Sequence, residues 1–403
     1  MYLIVSEEYL DALLADAGVQ GGALLGEILE KEGIVRLLHL DSPSNILLGR
    51  WQRGEKLDSS QPGELVLLAH NDAITFYKIS EEGSAEEVEH ERLTFYDDFK
   101  SRIAGLLDTN ALANKTVAII GLGTGGGTAA VELAKAGVGK FRLADFDRLK
   151  VHNVVRHVCG MRDIGRLKTD ALKDLLLNTN PLLKVETFNI DVTEHLDTLE
   201  QLLDGCDLVV GATDSEEAKG VINRISWNKG IPAVYGAAYE MGFGGDVFMA
   251  IPGVELEGQK VGCYMCFRIA TSQLFGEQDH DEIEDYGALP GRPQLALSMD
   301  VGHIALIMAR TALSVLSRYD KTSLVEPYPA NWILWGNQPK QGWIFDEPLQ
   351  SRFVDIWSQP DCPVCGQPVD KQLQEEATNF VESLTELEFV PAAIYGQESE
   401  EVE

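Results

Sequence analysis

The feature that most constrains the fold is an alternation of apolar and glycine-rich segments that begins at Lys115. The run Thr116–Ile120 is almost continuously apolar, which is typical of a strand buried on both faces of a parallel sheet. A glycine-rich turn and an alanine-rich helical stretch at 128–136 follow, and Lys140–Ala144 predicts a second strand. These pieces make a βαβ unit of about 30 residues, the size that a right-handed crossover requires.

The same alternation continues towards the C-terminus. Helices are predicted at 169–178, 196–203, 216–227 and 301–316, and strands at 185–190, 208–212, 233–235, 332–335 and 343–345. Helices and strands that alternate in this way predict an α/β fold built on a doubly wound, Rossmann-like, mostly parallel sheet. We assign this domain to residues 93–366.

The residues before this domain follow a different pattern. An amphipathic stretch at 7–15 predicts a helix, and apolar runs at 34–40, 65–70 and 74–79 predict strands. We therefore expect a small N-terminal α+β domain over residues 1–92. The acidic stretch 81–91 breaks the pattern and predicts a turn or linker. Residues 367–403 form an acidic tail, part of which is expected to be disordered.

Charge excludes some classes of partner. The chain of 403 residues carries a formal net charge of −31, which repels nucleic acid. No apolar run approaches the ~18–20 residues that span a bilayer, and the N-terminus lacks the basic start of a secretory signal. We therefore expect a cytoplasmic protein that binds neither nucleic acid nor membranes.

Positive charge is concentrated in one segment, 148–173. Its seven cations are Arg148, Lys150, Arg156, Arg162, Arg166, Lys168 and Lys173, against only Asp163 and Asp170. A local cationic site of this kind suits a compact polyanion such as a triphosphate. A solvated helix face is the alternative.

Four of the six cysteines form two C-x-x-C pairs, Cys263 with Cys266 and Cys362 with Cys365. In a reducing compartment, two such pairs indicate Zn²⁺ held tetrahedrally by four thiolates. Because residues 267–361 separate the pairs, the metal would join distant segments, which points to a structural site. Four buried free thiols are the alternative.

The glycine-rich turn has the spacing of a nucleotide-binding motif. Gly121, Gly123 and Gly126 follow the pattern G-x-G-x-x-G between a predicted strand and a predicted helix. Glycines let the backbone approach phosphates, and the helix N-terminus attracts anions. Asp145 ends the next strand, where a carboxylate can accept hydrogen bonds from both ribose hydroxyls. Up to this point NAD and ATP fit equally well.

The residues that follow distinguish these nucleotides. Asp145 and Asp147 begin the pattern D-x-D-x5-N-x-x-R, which continues to Asn153 and Arg156. A G-x-x-K motif then ends at Lys168, and Thr213-Asp214 follows the strand predicted at 208–212. In order and spacing, these motifs resemble the ThiF/MoeB and ubiquitin-activating enzyme superfamily of adenylation domains. The resemblance covers residues 115–366, including both cysteine pairs and the segment Gly236-Ala237-Ala238.

The resemblance implies ATP and Mg²⁺ as cofactors and adenylation of a carboxylate, with pyrophosphate as the leaving group. Asp145 would hold the ribose, with Asp147 as a second acid in the same motif. Asn153, Arg156 and Lys168 would contact the triphosphate and the charge that develops on pyrophosphate. Asp214 would hold Mg²⁺, which prefers oxygen ligands. Arg156, Lys168 and Asp214 are therefore the expected catalytic residues, and catalysis would be positioning plus charge neutralisation.

The sequence departs from the superfamily pattern at two functional positions. Members that form a thioester carry a cysteine in the segment after the first cysteine pair, but residues 267–300 contain none. Cys159 is a candidate for that nucleophile, and a buried free thiol is the alternative. Relatives also pair as homodimers in which an N-terminal arm supplies an arginine to the partner's ATP site; Arg102 is a candidate for this role.

The N-terminal domain is not part of the shared adenylation fold. Its segment Gly21-Gly22-Ala23-Leu24-Leu25-Gly26 faintly resembles JAB/MPN peptidases, but the H-x-H metal signature is missing and only His70-Asn71-Asp72 is present. The resemblance implies an inactive domain used for binding. A plain recognition domain is the alternative.

Four functions are compatible with these patterns to different degrees. The first is activation of a ubiquitin-like or sulfur-carrier protein with a Gly-ended C-terminus, with transfer to a thiol or conjugating enzyme in a bacterial ubiquitin-like conjugation system. The second is adenylation of a peptide or small carboxylate in a biosynthetic pathway. An NAD-dependent oxidoreductase would not need the set Asn153, Arg156 and Lys168 or a zinc site. A catalytically inactive scaffold would not need to retain these polar residues.

Overall fold

The computed structural model describes residues 1–366 except 39–44, 59, 72, 95–98, 257, 276–294 and 341–343. Three parts of the sequence analysis fall outside the described residues. They are the predicted acidic tail, the acidic centre of the segment after the first cysteine pair, and Asp72. The chain divides into two compact units, one over Met1–Ala104 and the other from Gly105 onward.

Among its described residues, the first unit has eight strands and a helix near its N-terminus. The elements are β1 (Tyr2–Ser6), α1 (Glu7–Leu14), β2 (Gly21–Leu29), β3 (Ile34–Leu37), β4 (Ile46–Arg53), β5 (Leu65–His70), β6 (Ala73–Ile79), β7 (Ala85–Val88) and β8 (His90–Leu93). The strands form one mixed sheet in the order β7-β6-β5-β4-β2-β3-β1-β8. Ser6 caps α1, since its hydroxyl accepts a hydrogen bond from the Tyr9 amide at 3.0 Å.

The interpretation of residues 81–91 as a turn or linker was wrong, because β7 and the start of β8 occupy most of this stretch. Both strands lie at edges of the sheet and are mostly exposed. An edge strand exposed on both faces has no hydrophobic alternation for the sequence to reveal. The predicted domain boundary at 92/93 falls inside β8, whereas the first unit runs to Ala104. The likeness of this unit to JAB/MPN peptidases stays a prediction.

The second unit alternates helices and strands. Its elements are α2 (Thr109–Ala113), β9 (Thr116–Ile120), α3 (Thr124–Lys135), β10 (Lys140–Ala144), α4 (Lys168–Thr179), β11 (Lys184–Phe188), α5 (Leu196–Leu203), β12 (Leu208–Gly211), α6 (Glu216–Asn228), β13 (Ala233–Ala238), β14 (Gly244–Ala250), β15 (Glu255–Leu256), β16 (Gln259–Lys260), α7 (Tyr264–Phe275), α8 (Ser298–Leu316), β17 (Trp332–Gly336) and β18 (Gln350–Val354). Short 3₁₀ turns lie at Val151–Asn153, Met161–Asp163 and Glu240–Gly242.

Eight of these strands form a mixed sheet in the order β11-β10-β9-β12-β13-β14-β17-β18. The first five are parallel, and the last three pair antiparallel. The predicted α/β class is confirmed, with an antiparallel extension at one end. The chain changes direction across the sheet between β9 and β12, and ligands of such sheets bind beside the carboxyl ends of the strands at this point.

Both faces of this sheet are covered by helices. Val117 and Ile119 of β9 point into the core shared with α3 and α8, whereas Ala118 and Ile120 point into the opposite core shared with α5, α6 and α7. Burial on both faces is the reason that β9 reads as an almost continuous apolar run.

The C-terminal half contains the predicted long apolar helix and one strand that differs from the prediction. By length and composition alone, the 19-residue helix α8 could cross a membrane, and half of its residues are buried in the protein. Its residues Ile304, Met308 and Ala312 belong to the core beneath the sheet. The expected strand at 343–345 is not formed by the described residues Ile344 and Phe345; the strand that closes the sheet is β18, which is half-exposed and lacks a strong apolar pattern.

Candidate functional site

A cleft of about 780 Å³ opens at the carboxyl ends of β9, β10, β12 and β13. This volume is typical of a small-molecule site. Most of the predicted site residues line it: Gly121, Gly123, Asp145, Asp147, Arg156, Lys168 and Asp214. Gly126 and Asn153 are not among the residues that line it. The structure therefore brings together, around one cavity, residues that span almost a hundred positions of the chain.

The glycine turn between β9 and α3 is shaped by close backbone contacts. Gly121 has a φ of 86°, and a Cβ there would lie 2.6 Å from the carbonyl oxygen of Ala212. A Cβ on Gly126 would lie only 1.9 Å from the carbonyl oxygen of Gly121, so this glycine lets α3 approach the turn. Gly123 is the N-cap of α3 and provides no side-chain cap. The first amides of α3 are thus available to an anion in the cleft.

Asp145 supports the glycine turn in addition to lining the cleft. Its Oδ2 accepts the Leu122 amide at 2.7 Å, and its Oδ1 accepts the Asp147 amide at 2.8 Å. The side chain is only 8% exposed. The predicted role for this residue was to bind ribose, and the structure adds that it fixes the turn against the end of β10.

Lys168 is held at the edge of the cleft by carboxylates. Its Nζ lies 2.8 Å from Asp147 Oδ2 and 3.6 Å from Asp145 Oδ2, and its side chain is 11% exposed. Two acids around one base give this group a formal net charge of −1, and the two ion pairs hold the ammonium group in place. A triphosphate entering the cleft offers acceptors that compete with Asp147, which is the more exposed of the two acids.

Arg156 reaches the cleft from the segment between β10 and α4. It is half-buried, and no ion pair to Arg156 is found among the residues that the structure describes. Its amide donates to the carbonyl of Asn153 at 2.9 Å. Asn153 Oδ1 accepts the Lys150 amide at 2.9 Å and so closes the 3₁₀ turn Val151–Asn153. In this arrangement Asn153 shapes the turn that carries Arg156, and its predicted contact with phosphate stays a prediction.

His157 is a site residue that the sequence interpretation missed. Its Nδ1 accepts the Cys159 amide at 3.0 Å, so the ring proton lies on Nε2, which donates to the Leu122 carbonyl at 2.7 Å. Burial lowers the pKa of His157, which favours this neutral form. The ring thereby attaches the Arg156 segment to the glycine turn. Its position directly after Arg156 is the one signal that the sequence offered.

Cys159 does not have the properties of a nucleophile. The residue is 3% exposed, and burial, with Asp163 nearby, raises the pKa of its thiol to about 12. A reactive cysteine needs both access and a thiolate. Cys206 is likewise buried, and burial raises its pKa to about 11. The alternative interpretation of Cys159, a buried free thiol, agrees with this geometry. Arg102 lies exposed near the end of the first unit, and its contribution to a partner subunit stays a prediction.

The two cysteine pairs meet in space. The four Sγ atoms of Cys263, Cys266, Cys362 and Cys365 lie within 4.8 Å of one another. Tetrahedral Zn²⁺ with bonds of about 2.3 Å places its sulfurs about 3.8 Å apart, so this set fits the metal. The Gln359 amide lies 3.2 Å from Cys266 Sγ, a donor that would stabilise a thiolate there. Three of the cysteines are buried, which indicates a closed structural site.

The fold is that of a ThiF-type domain. The model of the ThiF family matches residues 98–338, and the chain belongs to this family. The resemblance inferred from the motifs is thus confirmed.

Two relatives and one solved structure show the range of this likeness. The chain is 28% identical to the molybdopterin-synthase adenylyltransferase of Salmonella typhimurium over 261 residues, which are 64% of this chain and 89% of the relative. It is 30% identical to ubiquitin-like modifier-activating enzyme 5 of Dictyostelium discoideum over 166 residues, 38% of this chain and 42% of the relative. The crystal structure of Escherichia coli MccB with MccA-N7isoASN superposes with a TM-score of 0.50 at 20% identity, covering 64% of this chain and 69% of MccB. At that identity the superposition shows the fold alone.

Proposed function

We propose that this protein uses ATP to adenylate the C-terminal carboxylate of a ubiquitin-like or sulfur-carrier protein whose tail ends in glycine. The observation that carries the proposal is that the glycine turn, two cationic side chains and the acid Asp214 line one cleft. The names of the two relatives, an adenylyltransferase and a modifier-activating enzyme, support the same class of reaction.

The chemistry follows from this set of residues. An oxygen of the substrate carboxylate attacks the α-phosphorus of ATP, and the bond to the β-phosphate breaks to release pyrophosphate. A carboxylate is ionised at neutral pH, so no general base is needed. Lys168 and Arg156 stabilise the charge on the departing pyrophosphate. Asp214 is exposed at the end of β12 and would hold Mg²⁺, which supplies further neutralisation of the phosphate charge.

The far side of the cleft suits a tail without side chains. It is lined by Gly236, Ala237 and Ala238, which end β13. A Cβ on Gly236 would lie 2.8 Å from Met308 Sδ, so this wall is already packed. Small residues on this wall let an extended backbone approach it closely, and a glycine-ended tail has no side chains that would prevent this approach. A peptide end could lie along the same wall, and adenylation of a peptide is the competing proposal.

The adenylate is proposed to pass directly to an external nucleophile. All six cysteines of the chain lie among the described residues, and they are the buried Cys159 and Cys206 and the four of the zinc cluster. This leaves no accessible thiol for an internal thioester. We further propose that the acceptor is a conjugating enzyme, that the working form of the protein is a homodimer and that it acts in the cytoplasm.

The test is exchange of labelled pyrophosphate into ATP in the presence of Mg²⁺ and candidate substrates. Label that enters ATP only with a Gly-Gly-ended carrier supports the proposal, whereas label that enters with a peptide or small carboxylate supports the competing one. Asp214→Ala is expected to abolish exchange with fold and zinc content intact. Asp197→Ala, which removes an exposed acid of α5 outside the cleft, is the matched control. Undiminished exchange in Asp214→Ala would refute its role as a metal ligand.

A further inference from the structure

A cluster of largely buried charges lies at the wall of the cleft. Glu216 Oε1 is 2.9 Å from Lys219 Nζ, and Glu216 Oε2 is 3.3 Å from Arg268 Nη1. The hydroxyl of Tyr264 donates to Glu216 Oε2 at 2.9 Å. We call these four residues the Glu216 cluster. Glu216 and Lys219 also line the cleft, so the cluster forms part of its wall.

The Glu216 cluster joins two helices with different roles. Glu216 and Lys219 lie in the first turn of α6, two and five residues after Asp214. Tyr264 and Arg268 lie on α7, the helix that begins inside the first cysteine pair. The amide of Tyr264 also donates to Asn223 Oδ1 of α6 at 2.9 Å. The first turn of α6 is therefore connected to the segment that supplies Cys263 and Cys266.

Burial makes these contacts important for the position of α6. The side chains of Glu216 and Lys219 are 11% and 4% exposed. Burial by itself would raise the pKa of Glu216, but Lys219, Arg268 and the Tyr264 hydroxyl together lower it, so the carboxylate stays ionised. An ionised group at this depth depends on its partners, and a buried charge that loses one is strongly destabilised. A displacement of α7 would remove two of the three partners of Glu216.

We propose that Glu216 is a positioning residue that couples the four-cysteine cluster to the nucleotide cleft. When the four thiolates are gathered around Zn²⁺, α7 holds Glu216, and Glu216 holds the turn that carries Asp214. Loss of the metal frees α7 and weakens nucleotide binding. Coupling between two binding sites is reciprocal, so the nucleotide also strengthens zinc binding. The inference rests on the proposed function for the nucleotide site and adds a control over that site.

The experiment measures both affinities in the full chain. The dissociation constant of a non-hydrolysable ATP analogue with Mg²⁺ is determined for zinc-loaded protein, and the zinc affinity is determined by competition with a chromogenic chelator with and without the analogue. For wild type we expect the analogue to strengthen zinc binding at least about fivefold, the lower end of typical coupling between sites. Tyr264→Phe keeps the ring but removes the hydrogen bond to Glu216. In this variant the ratio of the zinc affinities with and without the analogue should fall towards one, and the zinc-loaded variant should bind the analogue more weakly than zinc-loaded wild type does.

Tyr235→Phe is the matched control. The rings of Tyr235 and Tyr264 lie 4.4 Å apart, both residues are buried, and the Tyr235 hydroxyl, which lies near Ser226, makes no hydrogen bond to the described residues of the Glu216 cluster. Removing this hydroxyl should leave both affinities and their ratio as in wild type. If Tyr264→Phe and wild type both bind the analogue and show equal coupling to zinc, the inference is overturned and the proposed ATP binding is not. If wild type failed to bind the analogue at all, the proposed function would be overturned as well, so the two failures are distinguishable.

Discussion

Asp246→Asn is expected to stabilise the protein at neutral pH. Asp246 lies on β14 with 5% exposure, and its Oδ2 accepts hydrogen bonds from the Tyr239 hydroxyl at 3.2 Å and from Trp332 Nε1 at 3.3 Å. Burial raises the pKa of Asp246 from 3.8 to about 6, although Lys219 and these two donors oppose the change. Because both bonds converge on one oxygen, an asparagine amide oxygen can accept them both.

The sign of the effect follows from proton binding. An acid whose pKa is higher in the folded state binds its proton more tightly there than in the unfolded state. Ionisation of Asp246 therefore lowers the free energy of unfolding by its full amount above pH 6, and this loss of stability disappears as the pH falls towards 3.8. For these two pKa values the cost is about 3 kcal/mol at pH 7.5 and roughly half of that at pH 5.0. Asparagine removes this cost but also loses the attraction to Lys219, so these figures are upper limits to the gain in stability.

The assay is urea unfolding of wild type and Asp246→Asn at pH 7.5 and 5.0, followed by tryptophan fluorescence. Trp332, which contacts Asp246, lies in the unit under test. The gain in unfolding free energy should be larger at pH 7.5 than at pH 5.0. Asp197→Asn, at an exposed acid of α5, is the control and should change the unfolding free energy by no more than about 0.5 kcal/mol. A variant that is no more stable than wild type at pH 7.5, or a gain that is the same at both pH values, would refute the reasoning.

Three further predictions concern the glycine turn, the free thiols and the zinc cluster. Gly126→Ala should lower the free energy of unfolding by about 2 kcal/mol or more, because the new Cβ would meet the backbone oxygen of Gly121 at 1.9 Å. In the same urea titration, the control Gly220→Ala, at a position on α6 where a Cβ meets no neighbouring atom, should raise the free energy of unfolding by about 0.5–1 kcal/mol. Cys159 should resist iodoacetamide at pH 7.5 until the chain is denatured, as followed by peptide mass spectrometry, because its thiol is buried with a pKa of about 12; rapid labelling of the native protein would contradict this. Chelation of Zn²⁺ should lower the melting temperature measured by calorimetry, because binding energy at a structural zinc site is folding energy; an unchanged melt after verified loss of zinc would contradict the four-thiolate assignment.

The sequence by itself determined the features that depend on neighbouring residues. The apolar run of β9, the glycines that follow it and Asp145 at the end of the next strand lie within about 30 residues, the size of one βαβ unit, and the spacing alone dictates their arrangement. The C-x-x-C spacing likewise places two sulfurs at one turn. The pairing of the two cysteine motifs across residues 267–361 was predictable as well, because a tetrahedral metal needs four ligands.

Some secondary structure was not predictable because its signal is weak. The strands β7, β8 and β18 lie at or near sheet edges with few buried side chains, so burial left no periodic pattern in their sequences. What holds them in place is hydrogen bonding to a neighbouring strand, which depends on residues far away in the chain.

Only the tertiary structure decided which charges of the second unit are buried. Glu216 and Lys219 read as the ordinary polar start of a helix, and Asp246 reads as one polar residue in a strand. The fold buries Lys219 and Asp246 and leaves the Glu216 side chain only 11% exposed. It also brings Tyr264 and Arg268 from α7 against Glu216. Burial makes a charge depend on its partners, and partners supplied by other elements are set by packing and not by spacing along the chain.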